Sequence, residues 1–131
     1  MNWRNIVEEL FNNIDDLLTL CPSCVPDDPC ISEFSLSLPM DIQVLSECCA
    51  CLLENVLESK QNLYRIYRYN EAGESVAIYK LGDVIVEVSS STATIVPIDR
   101  IEIYIEMLQE TGAQDLEILK KWLAELNKSS G

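Results

Sequence analysis

Leu63-Tyr64-Arg65-Ile66-Tyr67-Arg68-Tyr69, Ser75-Val76-Ala77-Ile78-Tyr79-Lys80 and Val84-Ile85-Val86-Glu87-Val88 are the runs that decide the fold. Each alternates or concentrates β-branched and aromatic residues, the pattern of a pleated strand with side chains on alternate faces. Asn70-Glu71-Ala72-Gly73 and Leu81-Gly82-Asp83 supply turns between them. Connections this short make the neighbours antiparallel. Ala93-Thr94-Ile95-Val96 reads as a fourth short strand, ended by Pro97. Residues 62–96 therefore predict a small antiparallel meander of three or four strands.

Outward from this stretch the period changes to that of a helix. Trp3, Ile6, Val7, Leu10, Phe11, Ile14, Leu17 and Leu18 repeat at i, i+3, i+4, which predicts one amphipathic helix over 2–20. Asn2 is placed to cap it; Asn5, three residues on, does not match the Glu or Gln of a capping box. Pro22, Pro26, Pro29 and Pro39 interrupt regular structure and make 21–39 a loop. Ile42, Leu45, Cys49, Leu52, Leu53 and Val56 predict a second helix over 40–60. Asp99 begins a third over 99–111, stopped by Gly112, and Asp115 a fourth with Leu116, Ile118, Leu119, Trp122, Leu123 and Leu126 facing inward. The expected fold is α+β: one domain over 1–131, with a helical, cysteine-rich half at 1–60 and a meander plus helix pair at 61–131.

All six cysteines fall between residues 21 and 51. Cys21-x-x-Cys24 and Cys48-x-x-Cys51 form two spaced pairs, and four such thiolates can surround one structural zinc ion. Cys48 and Cys51 sit one helical turn apart and can reach one external point. Cys21-Pro22-Ser23-Cys24 resembles the first half of a zinc knuckle, with Val25 where that motif often has glycine. The same residues support disulfides instead. Three loop cysteines (Cys21, Cys24, Cys30) and three helix cysteines (Cys48, Cys49, Cys51) allow fifteen pairings. A third reading leaves them as buried thiols, which suits Cys49 in the apolar stripe.

Charge limits the partners. The chain has 22 acids, 9 bases and no histidine, a net of −13 over 131 residues. Residues 1–59 hold 11 of the acids against Arg4 alone. Such a surface repels phosphates and anionic lipid, so direct binding to nucleic acid or membrane is disfavoured; a charge that simply keeps the protein soluble, a cationic protein partner and mimicry of a polyanion are the compatible readings. Tyr64, Arg65, Tyr67, Arg68 and Tyr69 could stack on single-stranded nucleic acid, but neither strand face forms a clean platform. Catalysis lacks its commonest general base. A metal-nuclease triple of Lys80, Asp83 and Glu87 is the kind any acidic chain offers. Nothing approaches the roughly 20 apolar residues of a membrane span. The opening Met1-Asn2-Trp3-Arg4 leads into acids rather than a leader, so an intracellular place is expected. The chain has the general look of accessory proteins of hyperthermophilic archaea and their viruses, against which its eight asparagines weigh. Ile101, Ile103, Tyr104, Ile105 and Met107 surround much of the third helix and suggest a homodimer. The expected function is a non-catalytic acidic interaction or regulatory protein. The alternative is a zinc-containing nucleic-acid-binding module or metal-dependent enzyme.

Overall fold

Alternation through the central strands buries both faces of one sheet. A computed structural model describes residues 2–22, 24, 34–60, 63–69, 72–110, 116–117 and 119–121. It is an α+β fold built on a five-stranded antiparallel sheet. The elements run α1 (Trp3–Asn12), α2 (Ile14–Leu20), β1 (Gln43–Leu45), α3 (Glu47–Glu58), β2 (Tyr64–Tyr69), β3 (Ser75–Lys80), β4 (Val84–Val88), β5 (Ala93–Pro97), a 3-10 turn (Ile98–Arg100) and α4 (Ile101–Glu110). Strand order is β1-β5-β4-β3-β2. Glu117 and Leu119–Lys121 are helical.

Two apolar layers flank the sheet. Val84, Val86, Val88, Ala93, Ile95 and Tyr79 face α1, α2 and α3, which contribute Ile6, Leu10, Leu52, Leu53 and Leu57. Ile66, Ile78, Ile85 and Val96 face the opposite way, onto Ile101, Tyr104, Ile105, Leu108, Leu116 and Leu119. Each fully buried leucine or isoleucine contributes roughly 1.5–3 kcal/mol of transfer free energy, so both layers are substantial. Ile103 and Met107 remain exposed on α4, whereas Ile105 is buried with the stripe.

The strand count exceeds the expected three or four because residues 43–45, read as helix, pair with β5. Gln43 lies opposite Ile95, Val44 opposite Thr94 and Leu45 opposite Ala93. The reason is one of parity. Ile42 and Leu45 are three apart, so they share a helix face but take opposite strand faces. Leu45 packs in the layer under α1–α3, and Ile42 packs against the other layer. With apolar surface waiting on both faces of β5, the extended form satisfies both residues.

The expected helix over 2–20 is likewise two. At Asn13, with φ −115° and ψ 19°, the backbone leaves helical geometry. Its side-chain amide donates to the Glu9 carbonyl at 2.9 Å, a local bond that competes with the helix. At the start of α1, Asn2 and Asn5 do form a reciprocal capping box. The Asn5 N–H donates to Asn2 Oδ1 at 3.1 Å, and the Asn2 N–H donates to Asn5 Oδ1 at 3.2 Å. The Trp3 N–H donates to Asp83 Oδ1 at 2.9 Å, setting a carboxylate at the positive end of α1. Gly73, at φ +81°, occupies a left-handed position in the β2–β3 turn that other residues adopt only with strain.

Candidate functional site: a cysteine junction behind an acidic face

The short hydrogen-bonded turn that follows α2 brings Cys21 and Cys24 together, the Cys24 N–H donating to the Cys21 carbonyl at 3.0 Å. Opposite them, α3 presents Cys48 and Cys51 one turn apart. Cys21 is bonded to Cys51 with Cα atoms 5.8 Å apart, and Cys24 to Cys48 with Cα atoms 4.8 Å apart. Both separations suit a disulfide. The two thiol pairs singled out in the sequence therefore meet, joined crosswise in two bridges. Sulfurs bonded in this way carry no thiolate for a metal. Among the described residues no group of His, Cys, Asp or Glu is arranged around a metal position.

Asn55, one turn beyond Cys51, braces the junction. Its Nδ2 donates to the Cys51 carbonyl at 2.9 Å and lies 3.4 Å from Cys21 Sγ and 3.6 Å from Cys51 Sγ. Cys21 and Cys48 are buried, while Cys24 and Cys51 are half-buried. Cys49 is fully buried in the core and disulfide-bonded, with Ser46 Oγ 3.8 Å from its sulfur. Cys30 lies outside the described residues. Asn55 is the junction residue that sequence reading missed; its spacing of four from Cys51 is the signal that could have found it.

The layer that the bridges hold is strongly acidic. Glu8, Glu9, Asp15, Asp16, Glu47, Glu54 and Glu58 all stand on α1–α3. Among the described residues the two cations on or just after these helices are paired, Arg4 with Glu8 at 3.2 Å and Lys60 with Glu9, and Arg65 of β2 shares a cleft with Glu58. Glu54 and Glu58 are one turn apart. Partial burial of Glu54, then the Glu58 charge and a hydrogen bond between them, push the Glu54 carboxyl above the usual range.

Where α3 overhangs the sheet, two clefts share Glu58. One, of about 450 Å³, lies among Leu57, Glu58, Lys60, Leu63, Arg65 and Tyr79. The other, of about 390 Å³, includes Glu54, Tyr67, Ser75 and Ser89. Burial pushes the Tyr79 phenol up, and the neighbouring Arg65 guanidinium acts against that shift. Arg65 stands close to the Tyr79 hydroxyl without reaching hydrogen-bond geometry. Its guanidinium lies over the Tyr67 ring, 5.2 Å from the centroid.

Other sequence candidates do not converge. Asp83 is held at the N-terminus of α1, while Glu87 lies on the sheet face opposite α1–α3, in register with Ile78. Along β2, Tyr64 lies on one face and Tyr67 and Tyr69 on the other. No described helix is long and apolar enough to cross a membrane. Comparison with protein-family models, curated proteins and solved structures finds no match to this chain. Fold and junction together define a disulfide-joined α+β sandwich with one acidic helical layer.

Proposed function

We propose that this protein is a non-catalytic interaction protein whose α1–α3 layer binds a cationic protein partner. The observation that carries the reading is the charge of that layer. Seven carboxylates stand against two cations already engaged in ion pairs. The disulfides support it by fixing α2 to α3, so that the carboxylates are presented on a preorganised surface and lose little freedom on binding. Bridges of this kind persist in oxidising surroundings or in the cytoplasm of hyperthermophiles; an intracellular place belongs to the second setting.

An oligolysine probe tests the reading by titration against the full chain. Binding should weaken steeply as salt rises. Replacing Glu47, Glu54 and Glu58 together with Gln should weaken it more than replacing Glu102, Glu106 and Glu110 on α4, although both sets remove three charges. Equal losses would mean that net charge alone attracts the probe, and the face would have no special role.

The meeting of all four paired cysteines at one junction supports a second reading. If reduced, Cys21, Cys24, Cys48 and Cys51 could hold one structural zinc ion, as in a zinc-containing nucleic-acid-binding module or metal-dependent enzyme. Retention of about 65 Da by the native protein, released by a chelator, would favour it.

A further inference from the structure

One edge of the sheet is β2, Tyr64–Tyr69, with no strand beyond it among the described residues. It is six residues long, twice the length of β1 at the other edge. An edge strand is a template for another strand, and natural edges are commonly blunted by shortness, charged side chains, proline or a bulge. β1 is short; β2 is neither short nor broken by proline or a bulge, and its charges are two arginines, so a second strand must offer each arginine a partner. Tyr64, Tyr67 and Tyr69 are each more than half exposed, at 59%, 55% and 55%.

The order of residues in β2 indicates what pairs with it. In a two-fold antiparallel pairing that continues the sheet, residues directly opposite must lie on the same face. An axis through Ile66 sets Tyr64 opposite Arg68, Arg65 opposite Tyr67, and Ile66 opposite its own copy. Leu63 then falls opposite Tyr69. Both arginine positions meet tyrosine positions in the second chain, and apolar positions meet apolar ones. The neighbouring registers that keep the faces aligned retain at most one arginine–tyrosine match. Moving the axis to Arg65 sets that arginine opposite itself, and moving it to Tyr67 sets Ile66 opposite Arg68. The same residue types already stack within one strand, in the Arg65–Tyr67 contact.

We propose that β2 pairs with β2 of a second copy of this chain, antiparallel about Ile66, joining two five-stranded sheets into one of ten strands. The two symmetric cross-strand Arg65–Tyr67 pairs set the register. This differs from the interface suggested by the apolar residues of α4, and it does not depend on the acidic-face reading. The two respond oppositely to salt. Each copy carries a net charge of −13, so the dimer is opposed by repulsion. Raising ionic strength from about 0.01 to 0.15 M shortens the screening length from roughly 30 to 8 Å and should tighten it. Oligolysine binding should loosen over the same range.

Sedimentation velocity on the full chain, over a range of concentrations and at both salts, tests the proposal. A 14.8 kDa chain should give a concentration-dependent dimer. Tyr67→Arg puts like charges directly opposite at two symmetric places and should weaken the dimer at least about tenfold. Combining it with Arg65→Glu restores an attractive pair at both places and should recover the dimer. Far-UV circular dichroism establishes that each variant is folded. A chain that stays monomeric throughout overturns the proposal. So does a dimer that withstands Tyr67→Arg but dissociates on Met107→Glu, which would place the interface on α4. A folded double variant that remains monomeric overturns the register. A monomer whose wild-type β2 binds single-stranded DNA would assign the strand to nucleic acid instead.

Discussion

Removing the two described disulfides one at a time should cost less than half of what removing both costs. The reason is that they are nested: Cys24–Cys48 lies inside the loop closed by Cys21–Cys51. Their sequence separations are 24 and 30 residues. From loop-closure entropy alone, the inner bridge would contribute about 3.4 kcal/mol and the outer about 3.6 kcal/mol if each acted by itself. Once either is closed, however, the other seals only the two three-residue segments 21–24 and 48–51. A ring of about six residues is worth about 2.2 kcal/mol. The pair together is therefore worth about 5.6–5.8 kcal/mol, whichever is counted first. The assay is urea unfolding of four proteins, each carrying Cys30→Ser and Cys49→Ala so that no other bridge contributes. One retains both bridges, one lacks Cys21 and Cys51, one lacks Cys24 and Cys48, and one lacks all four, with alanine as the replacement. Alanine's packing costs recur in the single and combined variants and largely cancel in the cycle. Single losses of about 2 kcal/mol and a combined loss near 6 would support nesting. Single losses of about 3.5 kcal/mol that add to about 7 would refute it, because the bridges would then act on independent loops.

The acidic helix also makes stability depend on pH. The Glu54 carboxyl is raised in the folded protein, so folding favours its protonated form. Its ionisation costs nothing below the unfolded carboxylate pKa, and the cost grows as pH rises through the folded value. Glu54→Gln should therefore stabilise by about 0.2–0.5 kcal/mol at pH 7 and by nothing near pH 3, as read by thermal unfolding at the two values. In the C-terminal layer the Tyr104 hydroxyl is buried without a hydrogen-bond partner among the described residues. Tyr104→Phe should leave stability unchanged or raise it by about 1 kcal/mol in the same assay, and a loss of more than 1 would mean that the hydroxyl has a partner. Asn2→Ala, which removes one arm of the α1 capping box, should lower the urea midpoint by the equivalent of about 1 kcal/mol without changing the slope.

The sheet was legible because β2, β3 and β4 carry their pattern locally, in alternation and in the turns between them. β1 was not, because its three residues become a strand only through pairing with β5, some fifty residues on. The spacing of Ile42 and Leu45 is equally a helix stripe or two faces of a strand, and tertiary surface decides between them. The break at Asn13 depends on one side-chain bond that competes with the helix, and helical periodicity passes through it unchanged. The capping box was missed because the motif sought Glu or Gln, whereas the shorter amide of Asn5 also reaches back to the Asn2 N–H. For the junction, spacing correctly marked which cysteines meet. It left the chemistry open, because two pairs of thiols one turn apart serve a tetrahedral metal and a crossed pair of bridges equally well. Only the positions of Cys21 against Cys51 and Cys24 against Cys48 separate the two.

Intact mass of the native full chain, taken before and after reduction, tests the crosswise junction most directly. Mass should rise on reduction by about 6 Da, about 4 Da for the two described bridges and about 2 Da for the one that holds Cys49, with no metal lost to chelator. Thiols of Cys21, Cys24, Cys48 and Cys51 that alkylate without reductant, together with about 65 Da released on chelation, would contradict the account.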